Sequence, residues 1–362
     1  MRACVVGATG LVGAELLELI PRAWPGCHID LYASKTQEFA HKGKSYSVAS
    51  ATTLEKADAP RGDLAFVALD DEHSARYVPR LLELGYKVID KSNTFRMDPK
   101  VPLVVSGVNC ELVGAHRLAA NPNCTTIPLA MCLSVLQRRW GLEDVVVSTY
   151  QAISGAGKAM LLDFLASANT SYERVADEHD LLGLGYDISG YVANTVPHNG
   201  KTDDTGFSAE ERKLMSETKR ILGTDNLPIS AQCCRVPVAV GHYENVWIRL
   251  REPTELREIE QVLAMSSSRW IDLFPGSEGA ELTALATVHR RDRALVGRVR
   301  RDPRSDDKKA FCLTVAADNI RLGAATNAVR VASRWFAAAD PDLSWTSVGT
   351  SRCDARVADQ VA

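Results

Sequence analysis

No stretch of this 362-residue chain approaches the roughly 18 consecutive apolar residues that a membrane-spanning helix needs. Net charge is also scarce. At −3, the chain has no bulk electrostatic attraction to nucleic acid or to an anionic membrane surface, which leaves small anions that answer to local charge. The opening "MRACVVGATG" breaks into glycines too early for the apolar core of a secretory leader. The nine cysteines are odd in number and include no CxxC pair, which fits a reducing cytoplasm better than a disulfide framework. The eight histidines show neither HxxxH nor HExxH spacing, so no metal site is expected. Repeats and low-complexity linkers are missing too. What remains is a chain long enough for two ordinary domains, with ample apolar content for their cores.

The first third alternates short apolar runs with amphipathic segments. "ACVVG", "HIDLYA", "DLAFVAL" and "KVIDK" read as buried strands, with "VPLVV" as a further apolar run, and "GAELLELIPRAW" and "YVPRLLELG" read as helices between them. That rhythm predicts an α/β fold with a doubly wound, Rossmann-type parallel sheet. After Cys124 the texture changes. A long helix, "IPLAMCLSVLQRRWG", is followed by the strand-like runs "DVVVSTYQAIS", "ISAQCCRVPVAVG", "ENVWIRL", "ALATVHR" and "FCLTVAA". These predict an α+β unit with a mostly antiparallel sheet and helices on one side. "ATNAVRVASRWFAAA" reads as a last helix, and the tail beyond about Asp340 as loosely held.

Two local patterns carry chemistry. "GATGLVG" follows the first strand and opens a helix, spacing Gly7, Gly10 and Gly13 so that the backbone can approach a pyrophosphate at a helix N-terminus. The second strand ends in Ser34, Lys35 and Thr36 rather than in an acid. An acid there would hold a ribose 2′-hydroxyl and repel a 2′-phosphate, so the cofactor expected is NADP. The second pattern is "NPNCTT", residues 121–126, where Cys124 stands among turn residues at the predicted start of a helix, a place that favours the thiolate. Cys4, Cys132 and Cys312 lie inside apolar runs and read as core, and Cys234 neighbours a candidate active-site strand. Gln151 leads a strand into the glycine turn of "SGAG". Arg235 and His242 are seven residues apart, so one regular strand would point them oppositely unless Pro237 or Gly241 breaks the alternation.

In chain order, "GATGLVG", "FRMDPKVPLVV", "NPNCTT", "TYQAISGAG", "EERKLMSETKRIL", "RVPVAVGH", "VGRVRRD" and "ADNIRLGAATNA" closely resemble the aspartate-semialdehyde dehydrogenase family. The resemblance covers all but about the last twenty residues. It implies a dinucleotide-binding domain of residues 1–122 with 324–362, and a catalytic and dimerisation domain of residues 123–323. It also implies Cys124 as nucleophile, His242 as acid–base and Gln151 near the oxyanion. Arg235 is implied for the substrate carboxylate, Glu210 for its amine, and Arg96, Lys213 and Asn123 for phosphate. Gly7, Ala8, Thr9, Gly10, Leu11, Val12, Gly13, Ser34, Lys35, Thr36, Ser154, Gly155, Asn319 and Asn327 are implied for NADP. The implied state is a cytoplasmic homodimer or homotetramer acting on aspartate semialdehyde and phosphate.

The chain departs from the family pattern at Ser106-Gly107, at Tyr243, at Arg330 and in "VPHNG". Two related reductases fit less well. An N-acetylglutamyl-phosphate reductase expects glycine before its cysteine, and a glyceraldehyde-3-phosphate dehydrogenase expects asparagine where Ile127 stands. A silent binding paralogue would lack a catalytic residue, and Cys124, Gln151, Arg235 and His242 are all present.

Overall fold

In the computed structural model the described residues are 1–177, 191–192, 194–197, 202–266 and 270–344. The first sheet is built from β1 (Arg2–Val6), β2 (His28–Ala33), β3 (Gln37–His41), β4 (Lys44–Ser50), β5 (Leu64–Val67), β6 (Lys87–Asp90) and β7 (Leu118–Ala120). Its strand order is β3-β4-β2-β1-β5-β6-β7, and all neighbours are parallel except the β3–β4 hairpin. Helices α1 (Leu11–Ala23) and α2 (Asp71–Glu83) are the crossovers. The chain moves outward through β2, then returns to β5 on the other side of β1. This reversal opens a crevice at the carboxyl ends of β1 and β5, directly above the glycine loop.

The second sheet uses β8 (Leu142–Gln151), β9 (Val196–Pro197), β10 (Ile229–Arg235), β11 (His242–Leu250), β12 (Ile271–Phe274), β13 (Ala294–Arg301) and β14 (Ala310–Ala317) in the order β12-β13-β14-β11-β8-β10-β9. The β8–β10 and β12–β13 pairs are parallel and the others antiparallel. Alternation along β8 sends Val145, Val147, Thr149 and Gln151 inward and leaves Val146 and Tyr150 on an open face. The inner face shares one apolar core with α3 (Thr126–Trp140), α5 (Ala209–Leu222) and α6 (Leu256–Ser266). Helix α4 (Lys158–Asp177) follows the turn after β8.

The structure departs from the sequence reading in several places. "ALATVHR" is a short 3-10 turn, Leu285–His289, and not a strand. The Thr283 hydroxyl accepts from the Ala286 amide at 3.1 Å and the Thr287 hydroxyl donates to the Ala284 carbonyl at 2.6 Å, curling the run locally. "VPLVV" stays extended but joins the first sheet only through an isolated bridge from Leu103 to Ala120. The last helix is split into a wide π-type turn, Arg321–Thr326, and a short α7 (Asn327–Ala332). Arg330 and Leu343 are buried, and the Arg330 Nε donates to the Asp342 carbonyl at 2.9 Å, so the chain is held as far as residue 344. The rest of the tail, and residues 198–200 of "VPHNG", lie outside the described residues.

Ala325, Ala328 and Val329 share a core with Leu16, Leu19 and Ile20 of α1, so the end of the chain packs against the first sheet's helix layer. An ion network ties the two sheets together. Arg321 meets Glu15 at 2.7 Å and Asp292 at 2.9 Å, while Arg291 meets Glu15 and Asp318, each at 2.7 Å. Burial works to raise the Asp292 carboxyl, but Arg321 overrides it and holds the group below its usual range.

Two of the departures from the family pattern form one packing unit. Gly107 has φ +79°, and a Cβ there would stand 2.8 Å from Cδ1 of Trp270. The Trp270 ring also carries the Arg330 guanidinium at 3.9 Å from its centroid. Gly107→Ala is therefore expected to lower stability by about 1–3 kcal/mol through backbone strain and the displaced indole. A thermal unfolding scan checks this, and an unchanged midpoint would contradict it.

Candidate active site

The centre of the site lies at the end of β8. Gln151 is registered against Arg235, the last residue of β10. On the other side of β8, Tyr243 is registered against Tyr150, which places His242, the first residue of β11, beside Gln151. The alternation problem thus disappears, because Arg235 and His242 belong to two strands flanking the same central one. The connection over residues 236–241 folds back on the turn after β8, with the Ile153 amide donating to Val238 at 2.8 Å and the Ser154 amide to Ala239 at 3.1 Å. Cys234, one residue before Arg235, is half-buried and registers with the outward Tyr150, away from the site.

Cys124 enters from the first sheet. The Asn121 amide donates to the Asp90 carbonyl at the end of β6 at 2.7 Å, which carries the NPNC turn over the carboxyl edge. Helix α3 starts at Thr126, so Cys124 stands just ahead of its first turn. The Cys124 Sγ lies 3.1 Å from His242 Nε2, and the Ala152 amide donates to His242 Nδ1 at 3.0 Å. The Arg235 Nη1 donates to the Ala152 carbonyl at 2.7 Å, so the two peptide units flanking one residue position the imidazole and the arginine. A Cβ on Gly155 would meet Arg235 Nη1 at 2.8 Å and His242 Nε2 at 3.3 Å, and one on Gly323 would meet the Cys124 Cβ at 3.0 Å. Glycine at both positions lets backbone close in around the thiol.

The electrostatics correct one expectation. Burial first, then Glu210, push the Cys124 thiol up to about 12, while Arg235, Arg96 and Lys91 pull it back. The helix start does not by itself make a thiolate here. Buried Cys110, Cys132 and Cys233 are also pushed up to about 12, and what sets Cys124 apart is its contact with His242.

A polar floor supports the turn. The Asn123 amide donates to Glu217 Oε2 at 2.7 Å, and the Asn123 side chain donates to Glu210 Oε1 at 2.9 Å. Glu210 also lies 3.6 Å from Lys213 Nζ. Arg96 is buried, with Nε on the Asn121 carbonyl at 3.0 Å, Nη2 on the Lys91 carbonyl at 2.6 Å and Nη1 on Glu217 at 3.0 Å. The sequence reading missed Glu217, the carboxylate joining Arg96 to Asn123; its only local signal is an acid on the inner face of an amphipathic helix. Lys91 was missed as well, and burial lowers the pKa of its ammonium.

The glycine loop forms a cradle that fits a dinucleotide. Gly7 has φ +93°, and a Cβ there would lie 2.5 Å from the Ala68 carbonyl oxygen. A Cβ on Gly13 would lie 2.2 Å from the Gly7 carbonyl oxygen. Helix α1 begins behind Gly10 with no side-chain cap, so the first-turn amides of Leu11, Val12 and Gly13 face the crevice without a capping group. Ser34, Lys35 and Thr36 form an exposed turn at the end of β2, pinned where the Ser50 amide donates to the Thr36 hydroxyl at 3.1 Å. Lys158, also missed from sequence, reaches across from the start of α4 to the Thr9 carbonyl at 3.1 Å.

Ser154 and Asn319 bond each other at 3.0 Å, and the Asn319 carbonyl oxygen accepts from the Gly241 amide at 3.0 Å. The Asn327 Nδ2 donates to the Val104 carbonyl at 2.9 Å and to Asn121 Oδ1 at 2.8 Å, and its Oδ1 accepts from the Ser106 amide at 2.8 Å. It therefore sits as a latch beneath the NPNC turn, on a segment whose Ala325 and Ala328 share a core with Ala8 of the glycine loop. Among the described residues no cluster of His, Cys, Asp or Glu is arranged to hold a metal ion.

Residues 2–116 match the family model described as semialdehyde dehydrogenase, NAD binding domain, and residues 133–322 match semialdehyde dehydrogenase, dimerisation domain. The aspartate-semialdehyde dehydrogenase of Aquifex aeolicus is 34% identical over 339 residues, covering 91% of this chain and 96% of that protein. The chain belongs to the aspartate-semialdehyde dehydrogenase family. Aspartate-semialdehyde dehydrogenase 2 of Vibrio cholerae is 33% identical over 347 residues, covering 91% of this chain and 95% of that protein. A crystal structure of the Vibrio cholerae enzyme II complexed with ASA superposes with a TM-score of 0.80 at 32% identity, covering 92% of this chain and 97% of that one. The two sheets described above are therefore the family fold, an NAD(P)-binding Rossmann-type unit and a mostly antiparallel dimerisation unit. Among the described residues no helix is long and apolar enough to cross a membrane.

Proposed function

We propose that this protein is an NADP-dependent, phosphorylating aspartate-semialdehyde dehydrogenase. It interconverts aspartyl phosphate with aspartate semialdehyde and phosphate through a thioester on Cys124. The observation that carries the reading is the 3.1 Å contact between the Cys124 sulfur and His242, beside an Arg235 bonded to the carbonyl of Ala152, the residue whose amide meets the imidazole. Such a group of nucleophile, proton-handling ring and anion fork is what acyl transfer from a carboxylate-bearing substrate requires.

Arg235 takes the substrate's free carboxylate as a bidentate partner, and Glu210 faces its amine. Arg96, Lys213 and the Asn123 amide take the phosphoryl group. Cys124 Sγ attacks the acyl carbon, the C–O bond to phosphate breaks, and Gln151 lies beside the carbonyl oxygen as it gains charge. His242 serves the charge that comes and goes on the sulfur and on the hemithioacetal oxygen. Residues Gly7 to Gly13 hold the cofactor pyrophosphate, Ser34, Lys35 and Thr36 its 2′-phosphate, and Ser154, Gly155 and Asn319 line its reactive end. When bound, NADPH supplies the hydride that reduces the thioester.

The division into residues 1–122 with 324–362 and residues 123–323 belongs to the same reading. So do a homodimer or homotetramer in the cytoplasm and a place in lysine, methionine, threonine and diaminopimelate synthesis. The test is a steady-state assay of NADP reduction with aspartate semialdehyde and phosphate, beside arsenate and other short aldehydes. Phosphate-dependent turnover that favours aspartate semialdehyde is the expected result. Equal turnover of aldehydes lacking the carboxylate would overturn the reading.

Ser34→Asp tests the cofactor assignment. A carboxylate at the end of β2 repels a 2′-phosphate and accepts from a 2′-hydroxyl. The ratio of kcat/KM for NADP over NAD is expected to fall by about tenfold or more, the size of one lost charged contact. A ratio unchanged by the substitution would place the 2′-phosphate elsewhere.

A further inference from the structure

Lys158 is an exposed residue at the first position of α4, yet its ammonium meets the first unit rather than its own. The turn that carries it is held on both sides. Gly157, at φ +104°, donates its amide to the Ser154 carbonyl at 3.1 Å and accepts from the Leu161 amide at 3.1 Å. From there the side chain crosses to the glycine loop. Its Nζ donates to the Thr9 carbonyl at 3.1 Å and lies over the Phe39 ring of β3, 5.4 Å from the centroid. Both partners are uncharged. Among the described residues Lys158 forms no ion pair, so a full positive charge rests on one carbonyl dipole and one ring face.

The place of that charge is set by the loop and by β2. The Gly7 and Ala8 amides donate to the Tyr32 carbonyl at 2.8 and 3.0 Å, which seats the glycine loop on the end of β2. Thr9 is the next residue of the loop. On the other side, the Ser34–Thr36 turn follows β2 directly and leads into β3 at Gln37, which brings in Phe39. In the order β3-β4-β2-β1-β5, β3 lies on the β2 side of β1, away from β5. The ammonium is therefore anchored on the half of the crevice where the end of a second strand meets the ribose 2′ position of a dinucleotide. The pyrophosphate is served elsewhere, by the first-turn amides of α1.

We propose that Lys158 is a specificity-determining residue that pairs with the 2′-phosphate of NADP from across the crevice. This rests on the cofactor assignment above and deepens it. Ser34, Lys35 and Thr36 serve the phosphate from the first unit, and Lys158 serves it from the second. On binding, the ammonium exchanges a neutral carbonyl for a phosphate dianion, a charge-assisted contact about twice as strong. NADP thereby ties the two units together at a point where NAD, with a bare 2′-hydroxyl, makes no such tie.

The test is titration calorimetry on the full chain without substrate, using NADP, NAD, 2′,5′-ADP and 5′-ADP. In Lys158→Met, which keeps the stem and drops the charge, NADP and 2′,5′-ADP are expected to bind about tenfold or more weakly, the size of one lost charged contact. NAD and 5′-ADP should stay within about twofold of wild type, which also shows that the variant is folded with its glycine cradle intact. Lys158→Arg keeps the charge and should hold NADP within about threefold. Equal weakening of all four ligands would assign the ammonium to the pyrophosphate or to a purely structural tie, and would overturn the proposal. NADP affinity unchanged in the Met variant would overturn it too. The readout is independent of turnover. Wild-type protein that prefers NADP but does not act on aspartate semialdehyde would defeat the functional reading and leave the role of Lys158 to be decided by the Met variant alone.

Discussion

Cys124→Ala is expected to abolish phosphate-dependent turnover, by roughly 10⁴- to 10⁶-fold, the range seen when a covalent nucleophile is removed from an otherwise intact site. Dinucleotide affinity should stay within about twofold, since the glycine cradle is built around Gly7, Gly10 and Gly13 and the carbonyl of Ala68. Cys124→Ser should be nearly as poor, because an alkoxide is far harder to form than a thiolate. The wild-type pH dependence follows from the same site. Burial and Glu210 push the free thiol up to about 12, so in protein without substrate its alkylation should keep rising with pH above neutrality. A plateau near pH 7 would mean that the thiolate is already formed at rest. A brief alkylation pulse alone does not single out the nucleophile, because Cys27 and Cys234 are only half-buried and compete for reagent. Retained turnover in the Ala variant would end the account of Cys124.

Arg235→Lys should cost about 10- to 100-fold in kcat/KM for the carboxylate-bearing substrate, although the charge is kept. Two effects add. The ammonium loses the planar fork that meets a carboxylate through two parallel bonds. It also loses the bond from Nη1 to the carbonyl of Ala152, the residue whose N–H meets the His242 ring. The loss should therefore appear in kcat as well as in KM, unlike the loss of a simple substrate anchor. Steady-state kinetics with aspartate semialdehyde checks this, and activity within twofold of wild type would contradict the assignment.

How much of this was legible in the sequence depended on distance along the chain. The glycine loop was legible because its spacing, its strand and its helix lie within about two dozen residues, and local backbone geometry dictates all three. The parallel rhythm of the first sheet was legible for the same reason. The β3–β4 hairpin was not, since "QEFAH" and "KSYSVAS" are half-exposed strands at one end of the sheet with weak apolar alternation. "ALATVHR" failed because two threonine side chains satisfy its backbone locally, an alternative that apolar content does not reveal. Cys124, Gln151, Arg235 and His242 were each marked by a motif. What holds them was not, because the partners are remote: Glu217 meets the Asn123 amide across 94 residues, and the Ala152 amide meets His242 across 90. A main-chain donor in particular leaves no trace in residue type. The thiolate expected at the helix start is opposed by desolvation and by Glu210, and neither the remote carboxylate nor the packing around the turn can be read from the motif.

The central claim is that Cys124 carries the acyl group, and the most direct test is to see it there. Protein stripped of reduced cofactor is mixed with aspartyl phosphate, quenched in acid within seconds, and read by intact-mass and peptide mass spectrometry. The account predicts one aspartyl adduct on the peptide containing Asn121 to Thr126, located on Cys124, lost on adding NADPH and absent from Cys124→Ala. An adduct on any other cysteine, or NADPH-dependent aldehyde formation with Cys124 shown to remain unmodified, would contradict it.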